Sequence, residues 1–190
     1  MICLIPLADG QMIDHEVLKG LCDQTIKISI ISISRPEDHY YFPTAPKDFL
    51  KLVRPNRKSI TETRNLLKDH ALKRNDDFFL YLDSDVVLTS KHDIEDLLIF
   101  IKTHHKIGVV GLNTKQIDLK NIEKPDHIPM ACLLFRKDVL KDYIFHNGKH
   151  KKSCNCKMLV KDIRKMPHPE GGFWEIRYLD YRKLREIPRK

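Results

Sequence analysis

Short apolar runs alternate along this chain with amphipathic stretches, and that alternation limits the fold more than any other feature. Ile2 to Leu7 reads as a first strand, stopped near Pro6 and the turn pair Asp9-Gly10. Asp14 is placed to cap a short helix carrying Val17, Leu18 and Leu21. Thr25 to Ser34 is a second strand, with Ile26, Ile28, Ile30 and Ser32 on one face and Ile31 and Ile33 on the other. The pattern predicts one α/β domain with a mixed, mostly parallel sheet flanked by helices, and 190 residues leave little room for a second domain. No repeat or low-complexity tract interrupts it.

From Arg35 to Arg57 four prolines (Pro36, Pro43, Pro46, Pro55) fall among polar and aromatic residues, and this stretch is expected to be mostly loop. The centre of the chain is the most explicit part. Ser59-Ile60-Thr61-Glu62 has the form of a capping box, and the helix it opens runs through Leu67 and Ala71 to about Arg74. Phe78 to Leu82 follows as a strand buried on both faces. Directly behind it stands Asp83-Ser84-Asp85. Ser90 to Asp93 looks like a second helix start, and Ile94, Leu97, Leu98 and Ile101 form the apolar stripe of that helix. Ile107 to Leu112 and Pro129 to Phe135 are further strands, separated by a polar loop from Asn113 to His127. A short helix near Asp138 to Tyr143, a helix marked by Leu159, Ile163 and Met166, and a last strand over Phe173 to Leu179 complete the expectation. The charged end, residues 180–190, is expected to pack weakly.

Asp83-Ser84-Asp85 is where chemistry is expected. Two carboxylates one residue apart project to one side if the backbone stays extended. Hard oxygen donors of that kind suit Mg²⁺ or Mn²⁺, which complete their shell with phosphate and water. Such a cation offsets the charge of a departing nucleotide diphosphate. The carboxyl end of a strand in an open α/β sheet is also where ligands collect. The plainer alternative is that both aspartates only cap the loop before the next helix.

The run Thr63-Arg64-Asn65 on a helix, the apolar strand, and then Leu82-Asp83-Ser84-Asp85-Val86 resembles the nucleotide-sugar half of a GT-A-fold glycosyltransferase of the small, family-two-like kind. The resemblance covers residues 1–145 and is most specific from Ser59 to Val86. It implies a metal-dependent enzyme that moves a sugar from a nucleotide-diphosphate sugar to an acceptor hydroxyl on a glycan, protein or lipid-linked molecule. It further implies a nucleotide-sugar-binding half over residues 1–112 and a reduced acceptor half over 113–179. Pro6, Leu7, Ser34 and Arg35 would line the nucleoside pocket and Arg64 would contact the nucleotide. Asp83 and Asp85, with Ser84 between them, would meet the donor and hold Mn²⁺ or Mg²⁺, and His168 is the candidate for a further ligand, with His150 behind it.

One departure stands out. Inverting members carry a carboxylate at the start of the helix after the fifth strand, and the matching stretch Ser153-Cys154-Asn155-Cys156 has none. Asp126, Asp142 or Asp162 are the substitutes to consider; a retaining enzyme needs no such base, so the stereochemical outcome stays open, and a non-catalytic relative is the other alternative. His146, His150, Cys154 and Cys156 could also be zinc ligands, but their spacing matches no standard site, and a basic loop with free thiols is preferred.

Two other classes compete. Asp83-Ser84-Asp85-Val86-Val87-Leu88 fits the pattern of a haloacid-dehalogenase-like phosphohydrolase with Asp83 as nucleophile, though that motif normally follows the first strand. A formal charge of +8 would suit a nucleic-acid-binding module, yet no helix-turn-helix, zinc-finger or aromatic RNA-binding pattern accompanies it. The charge also suits an anionic acceptor or membrane surface. The longest apolar run, Met130 to Phe135, is far below the roughly 18 residues of a membrane helix. The start of the chain has no basic leader, and its five cysteines are odd in number, so a soluble cytoplasmic protein with reduced thiols is expected. The small acceptor half leaves room for a partner or a homo-oligomer.

Overall fold

The structure, a computed structural model, describes residues 1–7, 13–34, 49–53, 59–114, 129–146 and 155–186. In chain order they form β1 (Ile2–Ile5), α1 (His15–Cys22), β2 (Ser29–Ser34), β3 (Phe49–Val53), α2 (Ile60–Ala71), β4 (Phe78–Leu82) and β5 (Val86–Val87). Then come α3 (Asp93–Thr103), β6 (Ile107–Thr114), β7 (Cys132–Arg136), α4 (Lys137–Asp142), α5 (Asn155–Ile163) and β8 (Glu175–Glu186). The strands make one sheet in the order β3-β2-β1-β4-β7-β6-β8-β5. Pairing is parallel from β3 to β4 and between β6 and β8, whereas β7 is antiparallel to both its neighbours and β5 is antiparallel to β8.

Each strand divides its side chains between two cores. Cys3, Ile5, Leu80, Leu82, Val110, Leu112, Cys132 and Leu134 face α1 and α3, where they meet Val17, Leu18, Leu21, Ile94, Leu97 and Ile101. Ile2, Leu4, Phe79, Tyr81, Val109, Leu133 and Phe135 face the other way, onto Leu67, Ala71, Val139, Leu140, Leu159 and Ile163 of α2, α4 and α5. The two-residue period of the strands and the helical stripes therefore agree. At α2 the capping box forms as its residues require: Ser59 Oγ accepts from the Glu62 amide, and the Glu62 carboxylate accepts from the Ser59 amide at 2.8 Å. Asp14 caps α1 through the Glu16 amide.

Three expectations change. The stretch from Arg35 to Arg57 is not loop throughout, because Phe49–Val53 pairs parallel with β2 as the edge strand β3. Its Phe-Leu-Lys-Leu-Val run is strand-like, and the prolines on either side hid it; residues 35–48 and 54–58 lie outside the described residues. The charged end is not a weakly packed tail up to residue 186. Strand β8 runs on to Glu186, pairs Lys183 and Leu184 with Asn113 and Thr114 of β6, and pairs Arg185 and Glu186 with β5. Backbone hydrogen bonds do not read side-chain charge, which is why composition misled there. Finally, α3 starts at Asp93, not Ser90. The buried Asp93 carboxylate reaches back to accept from the Thr89 and Ser90 amides, each at 2.8 Å.

Candidate functional site

Strand β4 is central, and Asp83-Ser84-Asp85 leaves its carboxyl end between α1, α2 and β7. The Asp83 amide donates to the Ala131 carbonyl at 2.9 Å, and the Ser84 carbonyl accepts from the Asp14 amide at 3.1 Å. The Val86 amide returns to the Asp83 carbonyl at 3.2 Å, so the triplet is a turn. The expectation that an extended backbone throws both carboxylates to one side does not hold. Ser84 is buried at the apex, and β5 begins at once behind Asp85.

The cationic partner of the triplet comes from α2. Arg64, in the second turn of that helix, donates through Nη2 to Asp83 Oδ1 at 3.2 Å. Its side chain is 7 % exposed and that of Asp83 is 22 % exposed, so the pair has one open side, on the carboxylate. Tyr81 supports it from beneath, its buried hydroxyl donating to the Arg64 carbonyl at 3.0 Å. Arg64 Nε is buried without a hydrogen-bond partner among the described residues. A guanidinium with one carboxylate and an unsatisfied edge has not recovered its full desolvation cost, which marks the pair as a place that a ligand can complete.

The next residues of α2 reach the segment after α4. Asn65 Nδ2 donates to the Phe145 carbonyl and Asn65 Oδ1 accepts from the Phe145 amide, both at 2.9 Å. Lys68 Nζ donates to the Tyr143 carbonyl at 2.8 Å. The Phe145 ring lies 5.0 Å from that of Tyr81. One helix thus ties the residues around Asp83 to the chain from Tyr143 to His146. His146 in turn meets Asp162 of α5, with Nε2 and Oδ2 2.7 Å apart.

The other predicted positions separate into groups. Pro6 and Leu7 end β1 and Ser34 ends β2, so the parallel register carries them to the same sheet edge as Asp83. Leu7 itself is buried in the core. Arg35, Asp126, His150 and Cys154 lie outside the described residues. Asp142 ends α4, exposed, on the helix that starts where Arg136 pairs with Phe78 at the far end of β4. His168 also belongs to that far end and does not join the triplet. Its Nε2 meets the His105 carbonyl at 3.3 Å, its Nδ1 accepts from the Glu170 amide, and its ring packs edge-on against Trp174. It holds the turn before β8, and a metal at Asp83 and Asp85 is out of its reach. Among the described residues no three His, Cys, Asp or Glu side chains converge as a metal cage. The sequence reading missed the pairing of His146 with Asp162, because their contact depends on how α5 lies against the segment after α4.

No known family model matches the sequence, and no curated protein matches it. Solved structures do match by shape. TarS of S. aureus, residues 1–349, in complex with UDP-GlcNAc, superposes with a TM-score of 0.67 at 14% identity over 96% of this chain and 56% of that one. The mannosyltransferase PcManGT of Pyrobaculum calidifontis, in complex with GDP-Man and Mn²⁺, gives 0.72 at 8% identity over 100% of this chain and 57% of that one. A CMP:2-keto-3-deoxy-manno-octonic acid synthetase complexed with CTP gives 0.58 at 14% identity over 98% of this chain and 91% of that one. This chain spans a little over half the length of TarS 1–349 and of PcManGT. The sheet order, the acidic turn behind the central strand and these likenesses make this a GT-A-fold protein.

Proposed function

We propose that the protein is a metal-dependent glycosyltransferase that moves a sugar from a nucleotide-diphosphate sugar to an acceptor hydroxyl. The observation that carries this reading is the Arg64–Asp83 pair at the carboxyl end of the central strand, open on its carboxylate side. The fold likeness supports it, since TarS and PcManGT were solved with UDP-GlcNAc and with GDP-Man and Mn²⁺. In this reading residues 1–112 form the donor half, and the acceptor half begins at residue 113. Pro6, Leu7, Ser34 and Arg35 border the nucleoside, and Arg64 steadies the donor.

Asp83 and Asp85 are the residues that would hold Mn²⁺ or Mg²⁺. The donor set fits a hard dication, because two carboxylates at a strand end leave the rest of its shell to phosphate and water. Bound there, the ion would neutralise charge on the diphosphate leaving group. Arg64 meanwhile holds Asp83 in place and adds positive charge beside the phosphates.

Thermal unfolding with UDP, GDP or CDP, each with and without Mn²⁺, tests the proposal. Stabilisation that needs nucleotide and cation together is the expected result, and at a ligand concentration 100 times Kd it corresponds to about 2.7 kcal/mol. Protein that shifts with no such pair refutes it. The synthetase likeness, which covers nearly all of both chains, favours one second reading, nucleotidyl transfer. Release of pyrophosphate from CTP, rather than a nucleoside diphosphate from a sugar donor, would select it.

A further inference from the structure

Helix α5 differs from the other helices of the described residues in the charge of its outer face. Glu16 accompanies Lys19 on α1, and exposed Glu62 and Asp69 stand on α2 ahead of Lys73 and Arg74. Glu95 and Asp96 share α3 with Lys102, and Lys141 of α4 pairs with Asp138 at 3.5 Å. On α5 the exposed positions are Lys157 and Lys161, followed by exposed Lys165 in the turn behind the helix. The Arg164 amide still donates to the Val160 carbonyl at 3.3 Å, so the helical spacing carries on past Ile163. Residues four apart lie one above the other, and the three lysines make an outward row about 12 Å long. Leu159, Val160 and Ile163 hold the opposite side against the core. The one acid of the helix, Asp162, is engaged by His146, with Oδ2 2.7 Å from Nε2.

Helix stability does not account for this row. A cation in the first turn opposes the helix dipole, and Lys157 sits there with no acid beside it. The surrounding sequence has the same bias: from Ile144 to Lys165 there are seven Lys and Arg, and Asp162 is the only acid. An apolar side chain flanks the row. Tyr143 leaves α4 with extended backbone. The alternation that turns Tyr143 and Phe145 into the core, 3 % and 2 % exposed, leaves Ile144 64 % exposed. The contact of His146 with Asp162 brings this segment alongside α5.

We propose that the lysine row of α5, with Ile144 at its flank, seats the protein on an anionic lipid bilayer. The ammonium groups meet the headgroup phosphates, each adding to an attraction that fades within a Debye length. Ile144 enters the boundary between headgroups and acyl chains. Nucleic acid would meet the same cations, but its bases stack on aromatic side chains, and the exposed one here is aliphatic. The inference goes beyond the donor reading and does not depend on it, because it concerns a different face.

The test mixes the full chain with vesicles of phosphatidylcholine, alone or with about a third phosphatidylglycerol, and follows cosedimentation. The parent should bind only the anionic vesicles, at about 50 mM salt and no longer at about 500 mM. Lys157→Gln/Lys161→Gln/Lys165→Gln should weaken that binding about 100-fold. Ile144→Ser should weaken it about fivefold. Lys19→Gln/Lys91→Gln/Lys106→Gln removes the same charge from exposed positions elsewhere and should stay within about threefold of the parent. The salt series on the parent decides the matter even if a variant fails to fold. A parent that ignores anionic vesicles, or binds pure phosphatidylcholine equally, overturns the proposal. Equal losses in the two triple variants, or parent-like binding by Ile144→Ser, overturn it as well. So does tighter binding of a short DNA duplex that the α5 variant loses, which would assign the row to nucleic acid. Stabilisation by nucleotide and Mn²⁺ reads the donor site separately, so either proposal can fail without the other.

Discussion

The two halves of the sheet handle their polar groups differently. Around β4 and α2 nearly every polar side chain has a partner close in sequence or on the adjacent element: Ser59 with Glu62, Tyr81 with the Arg64 carbonyl, Arg64 with Asp83. Under α5 and β8 the hydroxyls of Tyr143 and Tyr178 have none among the described residues. Satisfied groups stabilise and stiffen, whereas unsatisfied buried ones cost free energy until something arrives. The contrast teaches that the β4–α2 side is preassembled around one ion pair. The α5–β8 side keeps two buried hydroxyls without partners among the described residues.

The largest expected effect concerns the triplet. Asp85→Ala should abolish the joint stabilisation by nucleotide and Mn²⁺ in a thermal-shift experiment while the apo unfolding temperature hardly moves, since Asp85 lies on a turn outside the core. Next comes the packing that both halves share. Leu67→Ala removes a fully buried side chain from between α2 and the sheet and should cost about 2–5 kcal/mol in urea unfolding. A loss below 1 kcal/mol would mean that α2 is not docked as described.

Two tyrosines sharpen the comparison directly. Tyr81→Phe removes the hydroxyl bond to the Arg64 carbonyl, which keeps its place in the α2 ladder, and should destabilise the apo protein by about 0.5–1.5 kcal/mol. Tyr143→Phe deletes a hydroxyl that has no partner among the described residues, and it should leave apo stability unchanged or slightly raised by the same measurement. Equal losses in both variants would break the distinction between a satisfied and an open half. At the helix cap, Ser59→Ala should lower stability by about 0.5–2 kcal/mol in the same urea unfolding.

Legibility in the sequence followed the range of the forces involved. The stretch from Ser59 to Val86 could be read almost residue by residue, because a capping box acts over three residues and a five-residue apolar strand acts on itself. The Asp83–Arg64 pair was within reach too, as a helix and the following strand place the two residues side by side. The fate of Glu186 could not be read, because its partner Val86 lies across the sheet and their bonds run between backbones. Phe49 to Val53 was lost among prolines for a related reason: an edge strand needs only one neighbour, and the residues around it report on the flanking segments instead.

The sequence by itself determined an α/β chain whose acidic triplet follows a central buried strand, since periodicity and capping are local and their energetic bias survives in any context. Only the tertiary structure decided which distant groups that triplet would meet. It removed His168 to the far end of the sheet, set His146 against Asp162, and buried the hydroxyls of Tyr143 and Tyr178. Those meetings depend on the crossing of α5 over the sheet and on a strand that returns from the end of the chain, and no short window of residues encodes either.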